Sequence, residues 1–104
     1  MAGVGRTVPV EPWYVYILQC ADGSYYVGHT DDLDERVSQH NAGRGATWTA
    51  WRRPVMLVYQ ESCASMAEAV KRERQVKRWS RAKKAALISG DLEQLHRLSR
   101  RRIP

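Results

Sequence analysis

Residues 13–28, WYVYILQC-ADGS-YYVG, decide the fold. The run from Trp13 to Cys20 is aromatic and β-branched, the composition of a strand. Ala21-Asp22-Gly23-Ser24 supplies turn chemistry, and Tyr25-Tyr26-Val27-Gly28 opens a second strand. Strands joined by so short a turn form an antiparallel hairpin. By the two-residue period Tyr14 and Tyr16 share one face of the first strand, while Trp13, Val15 and Ile17 share the other. Tyr26 and Gly28 likewise share a face of the second strand. The hairpin therefore sets two phenols side by side. That arrangement suits a stabilising cross-strand pair, or a site in which Gly28 leaves room for a ligand.

Downstream of the hairpin, Thr30-Asp31-Asp32 offers N-cap residues, and Asp34 and Glu35 favour the positive end of a helix that Asn41-Ala42-Gly43 closes. Residues 44–54 (RGATWTAWRRP) read as a loop and Val55–Glu61 as a third strand. Ser65 caps a helix from Met66 to Trp79, and a further helix over Arg81–Ser89 ends at Gly90. The remainder, 91–104, is a basic tail, helix-prone but weakly amphipathic, and 1–12 read as a leader. The order is β-β-α-β-α-α with room for one last short helix. It predicts an α+β domain over 13–90, a three-stranded antiparallel sheet flanked by helices.

The chain has 104 residues, enough for one modest core. No apolar run approaches the roughly 20 residues of a membrane span, and MAGVGRTVPVEPW has no signal-peptide apolar region, so a cytoplasmic location is expected. Cys20 and Cys63 form no CxxC pair and read as reduced thiols rather than a zinc site. Charge is unevenly divided: residues 1–70 hold five Lys/Arg against eight Asp/Glu, residues 71–104 twelve against three. A basic C-terminal third is the electrostatic footprint of a nucleic-acid binder, or a solvated helical surface.

Glu73 breaks a pattern. It falls inside the apolar stripe Met66, Ala69, Val70, Val76, Trp79 of the second long helix, where a carboxylate is costly unless a cation satisfies it. Spacing leaves two solutions open: an ion pair with Arg72, Lys77 or another base, or a metal facing a phosphate backbone. Arg36 and His40 lie one helical turn apart on a common side. Arginine clamps phosphate oxygens and histidine moves protons near neutral pH.

Together these residues resemble the GIY-YIG nuclease superfamily, most closely its small stand-alone bacterial members. The name-giving motifs correspond to Tyr14-Val15-Tyr16 and Tyr26-Val27-Gly28, with Tyr14 in place of the first glycine. The runs YVGHTDDLDERVSQHN, GRGATWTAWRRPVMLVY and EAVKRERQVKRWSRAKKAALI are similar to the family's first helix, loop with third strand, and metal-binding helix with its successor. An asparagine that some relatives carry after the metal glutamate is absent from Lys83-Lys84-Ala85-Ala86.

The resemblance implies that Tyr16, Tyr26, Arg36, His40 and Glu73 form the catalytic set. Glu73 becomes the ligand of one Mg²⁺ or Mn²⁺, a hard cation that prefers oxygen and retains waters. Arg36 becomes the phosphate clamp. Tyr26 is the favoured general base with His40 as the alternative, and a phenol in that role needs nearby cations. His29 stands where some relatives place a lysine that assists the tyrosine. DNA, single-stranded or branched, is the implied substrate, cut without strong sequence preference. His29, Arg44, Trp48, Arg52, Arg53, Lys77, Lys83 and Lys84 are the candidate nucleic-acid contacts, with Trp48 and Trp51 able either to stack on bases or to pack beneath the loop. The competing readings are a catalytically inactive nucleic-acid-binding module, and a subunit whose segment Arg97–Arg102 docks an acidic protein.

Overall fold

The computed structural model describes residues 12–100. The expected leader, apart from Pro12, and residues 101–104 of the tail lie outside the described residues. The elements are β1 (Trp13–Cys20), β2 (Tyr25–Thr30), α1 (Leu33–Asn41), α2 (Thr47–Ala50), β3 (Val55–Cys63), α3 (Met66–Lys77), α4 (Arg81–Ser89) and α5 (Leu92–Ser99). The sheet is antiparallel in the order β2-β1-β3. As the central strand, β1 is covered on both faces, so Val15, Tyr16, Ile17 and Leu18 are all buried and no polar alternation appears.

Two hydrophobic clusters follow from that position. On one face Val15, Ile17 and Val27 pack with Ala69 and Val76 of α3 and Leu87 of α4, while Leu95 of α5 packs at the margin. On the other, Tyr16, Leu18, Cys20 and Val55 pack with Tyr26 and with Leu33 and Val37 of α1. Each fully buried aliphatic side chain contributes about 1.5–3 kcal/mol relative to exposure.

The predicted caps form: Asp32 accepts from the Glu35 amide at 3.1 Å and Ser65 from Glu68 at 3.1 Å. Ser80 caps α4 in the same way, accepting from Lys83 at 3.1 Å. Gly90, at φ +73°, ends α4 in the left-handed conformation that only glycine adopts cheaply.

Three expectations need correction. The 44–54 segment is not all loop, because Thr47–Ala50 forms one helical turn whose Thr49 is fully buried. The second long helix stops at Lys77 rather than Trp79. The chain turns there, and Trp79 instead lies against the core with the Arg72 guanidinium carbon 5.2 Å and Lys83 Nζ 4.0 Å from its ring centre. Met66, placed in the apolar stripe by spacing, is the first residue of α3 and is exposed.

Candidate active site

The register of the hairpin sets the site. Tyr16 pairs with Gly28 and Leu18 with Tyr26, so Tyr16, Tyr26 and Gly28 face α1, whereas Val15 pairs with His29 and His29 faces α3. β2 is an edge strand, so side chains from both faces meet around its free edge.

On the α1 side the two phenols come together as predicted, with ring centres 6.4 Å apart. Gly28 has a different purpose from the one its sequence context suggested. A Cβ built there would fall on the Tyr16 hydroxyl and lie 2.6 Å from its Cζ, so the vacated space holds the phenol and not a ligand. Beneath it Tyr16 Oη lies 2.9 Å from His40 Nε2, and His40 Nδ1 lies 2.8 Å from Thr49 Oγ1. Tyr16, His40 and Thr49 have at most 1% of their surface exposed. Burial pushes the Tyr16 phenol up to about 12, with the neighbouring Arg36 guanidinium acting the other way and the Tyr26 and Glu73 charges adding to the rise. Burial, assisted by Arg36, also holds His40 below its ordinary value. Both groups are therefore neutral at neutral pH. His40 is hydrogen-bonded into the site through Tyr16, and its ring centre lies 5.0 Å from that of Tyr26.

Arg36 projects from α1 on the same side as His40. Its Nε donates to Gln39 Oε1 at 3.1 Å and its Nη1 to the His29 carbonyl at 3.3 Å. That ties the guanidinium to the β2 edge.

From the α3 side comes Glu73. Its Oε1 lies 2.5 Å from His29 Nδ1 and its Oε2 2.9 Å from Lys77 Nζ. Burial on its own would raise its pKa, but the hydrogen bonds from His29 and Lys77 hold the carboxyl below its ordinary value. Reciprocally, the hydrogen bond to Glu73 raises Lys77. The ion pair expected from spacing is thus made with Lys77, and His29 adds a hydrogen bond. Arg72 turns away to a bidentate pair with Glu61 at 2.8 and 3.2 Å. Lys77 Nζ is also 5.9 Å from the Tyr26 ring centre, linking the carboxylate on one face to the phenols on the other.

Among the described residues no group of three or more His, Cys, Asp and Glu side chains is placed to hold a metal. Glu73 is the carboxylate of this cluster that would hold a hard divalent ion, as its single protein ligand. A carboxylate oxygen accepts along two lone pairs, and one partner occupies each oxygen here. The remaining ligands of such an ion are waters.

The candidate nucleic-acid residues divide. His29 points at Glu73 rather than at a tyrosine. Arg53 donates to the Ala50 and Asn41 carbonyls at 3.0 and 3.3 Å, fastening the ends of α2 and α1. Arg52 lies over the Trp48 ring at 3.9 Å and pairs with Asp22 at 3.3 Å. Trp48 in turn stacks on Tyr26, with centres 6.2 Å apart. Lys84 is half-buried, and desolvation lowers its pKa. Arg44 is exposed, and Trp51 is 82% exposed. Thr49 was not singled out by sequence: a threonine in an arginine-rich loop carries no signal that it will be buried. Its only hint is Gly45, four residues earlier, where a Cβ would fall on the His40 ring.

The sequence matches the GIY-YIG catalytic domain over residues 12–86, and the chain belongs to that nuclease family. Within it, the chain is 51% identical over 80 residues to a UPF0213 protein of Staphylococcus saprophyticus, spanning 77% of this chain and 98% of that one. A UPF0213 protein of Bacillus halodurans of known structure is 43% identical over 86% of this chain and 99% of its own, with a TM-score of 0.49. The structure of an E. faecalis protein, 32% identical over 89% of this chain and 94% of its own, shares the fold at a TM-score of 0.51. No described helix is long and apolar enough to cross a membrane.

Proposed function

We propose that the protein is a metal-dependent endonuclease that hydrolyses DNA phosphodiester bonds without strong sequence specificity, acting on single-stranded or branched DNA. The observation that carries this reading is the convergence of Tyr16, Tyr26, Arg36 and His40 from one face of the sheet with Glu73 and Lys77 from the other, around the edge of β2. A purely structural cluster has no need to gather acid, base, guanidinium and phenols at one open edge.

A divalent ion at Glu73, Mg²⁺ or Mn²⁺, supplies Lewis-acid stabilisation of the charge that builds on the phosphate. Arg36, restrained through Gln39 and the His29 carbonyl, is placed to hold a non-bridging oxygen. Tyr26, the partly exposed phenol, acts as its phenolate, which takes the proton of the attacking water and becomes the neutral phenol, with the Lys77 ammonium near its ring. Tyr16, backed by His40, orients that water. Neutral and buried, it is a better hydrogen-bond partner than base.

The cations left without an ion-pair partner among the described residues suit the backbone. Lys71, Arg74 and Arg78 are exposed and line, with Trp79, an open groove of about 500 Å³ on the outer side of α3. Contacts of this kind hold phosphates without reading bases. Trp51 is the tryptophan available for stacking on unpaired bases, since Trp48 is already engaged by Tyr26 and Arg52.

One observation favours a second reading. Both oxygens of Glu73 already have a partner, Lys77 by an ion pair and His29 by a hydrogen bond, as they would in a module that binds nucleic acid without a metal. Cleavage of labelled single-stranded, duplex and branched oligonucleotides with Mg²⁺ or Mn²⁺ separates the two. The nuclease cuts unpaired or branched DNA faster than duplex and is silenced by chelator. Binding without cutting on every substrate identifies the inactive module.

A further inference from the structure

The buried chain behind Tyr16 contains three hydrogens whose placement has one consistent solution. The links are Tyr16 Oη to His40 Nε2 at 2.9 Å, His40 Nδ1 to Thr49 Oγ1 at 2.8 Å, and Thr49 Oγ1 to the Ala46 carbonyl at 3.1 Å. Suppose the Thr49 hydroxyl donates to Nδ1. The imidazole hydrogen then sits on Nε2 and points at the Tyr16 oxygen, and the Tyr16 hydrogen finds no acceptor among the described residues, since His40 is the one side chain hydrogen-bonded to that hydroxyl. A buried hydroxyl hydrogen without an acceptor costs about 1–3 kcal/mol. In the other arrangement Thr49 donates to the Ala46 carbonyl, Nδ1–H donates to Thr49, and Nε2 accepts from Tyr16. Every buried hydrogen of the chain then has an acceptor.

We infer that Thr49 is a positioning residue that holds His40 in its Nδ1–H tautomer, so that Tyr16 gives its hydrogen to His40 and turns its oxygen lone pairs toward the reacting centre. The surroundings support a fixed imidazole. His40 has no exposed surface, a Cβ at Gly45 would fall on its ring, and α2 exists as a helical turn that carries Thr49 inward. In this orientation Tyr16 accepts a hydrogen bond from the attacking water and holds it for Tyr26, which takes its proton. The tautomer stands on the hydrogen-bond geometry alone, whereas its consequence for Tyr16 rests on the nuclease reading above.

The test is a long-range ¹H–¹⁵N correlation spectrum of the ¹⁵N-labelled full chain at mildly alkaline pH, where His40 is neutral. The wild type is expected to show a protonated Nδ1 and an unprotonated Nε2 at His40. Thr49→Val, which keeps the shape and removes the hydroxyl, is expected to lose the Nδ1–H signal to the other tautomer. It should also lower kcat by about 10- to 100-fold, by analogy with losing the outer partner that orients a metal-bound histidine, with DNA affinity unchanged. Thr49→Ser is expected to restore both tautomer and turnover, which separates positioning from simple damage to the fold. A wild-type His40 protonated on Nε2 overturns the inference, and that readout needs no variant. So does a Thr49→Val protein whose tautomer is unaltered. If the tautomer behaves as expected while the wild type cuts nothing, it is the nuclease reading that fails, and with it the role given to the Tyr16 oxygen.

Discussion

Replacing Gly28 with alanine tests the packing on which the site depends. The new Cβ would fall on the Tyr16 hydroxyl and lie 2.6 Å from Cζ and 3.0 Å from Cε2. Tyr16 has little freedom to yield, being 1% exposed, bonded to His40 Nε2 at 2.9 Å and packed near the Tyr26 and His40 rings. Forcing an extra methyl into a filled space costs about 1–3 kcal/mol. Driving the phenol off His40 forfeits a further 0.5–1.5 kcal/mol or so of net hydrogen bonding. A loss of roughly 2–4 kcal/mol follows, a large part of the 5–15 kcal/mol or so that holds a small domain together. Gly23→Ala is the comparison, because at φ +85° with nothing within 4 Å it meets only the left-handed backbone penalty, about 1–2 kcal/mol. Urea unfolding followed by tryptophan fluorescence should rank Gly28→Ala as the more damaging. A Gly28→Ala protein within about 0.5 kcal/mol of wild type would refute the reasoning, for it would mean that the Tyr16 ring does not occupy the space Gly28 vacates.

Two further outcomes are expected. His40 is held below its ordinary pKa in the fold, while in the unfolded chain it takes up a proton near pH 6.5. Between those two values the unfolded state carries more protons, so stability rises with pH. Stability should therefore be fully present above about pH 6.5 and fall as the solution is acidified below it, and urea midpoints across that window should flatten in His40→Gln relative to wild type. The second concerns Lys71, Arg74 and Arg78. Changing all three to glutamine should reduce the slope of log affinity against log salt for single-stranded DNA by about 0.7 per residue, with the urea midpoint little changed. An unaltered slope would move the backbone contact elsewhere.

Much of this was legible in the sequence, for identifiable reasons. The hairpin was readable because Trp13–Cys20 and Tyr25–Gly28 flank a turn of only four residues. The helices were readable because Asp32 and Ser65 cap two of them and Gly90 ends a third, signals whose chemistry is local. Glu73 could be found because a carboxylate in an apolar stripe conflicts with its surroundings, and the fold resolves the conflict with Lys77 and His29. What stayed hidden depends on contacts distant in sequence. Thr49 reads as loop until α2 turns it toward His40, nine residues back. Gly28 reads as open space until the register sets Tyr16 beneath it. The arginines of residues 44–54 look alike as a charge cluster, yet Arg53 fastens helix ends and Arg52 covers Trp48, while Arg44 is exposed. The third strand runs to Cys63, beyond the expected Glu61, because pairing with β1 continues through Trp13 after an irregularity at Ile17/Leu18. The segment read as weakly amphipathic forms α5 by laying Leu95 on the core, with Leu92 and Leu98 left exposed.

The most direct test of the central claim is a comparison of the wild type with Glu73→Gln, which keeps the side chain's size and removes its charge. Cleavage of labelled branched DNA in Mg²⁺ or Mn²⁺ and binding of the same DNA without metal are measured side by side. The account predicts metal-dependent cutting by the wild type, its loss in Glu73→Gln by roughly 10²-fold or more, and binding retained by both. Equal cutting by the two proteins, or none by a wild type that binds, would contradict it.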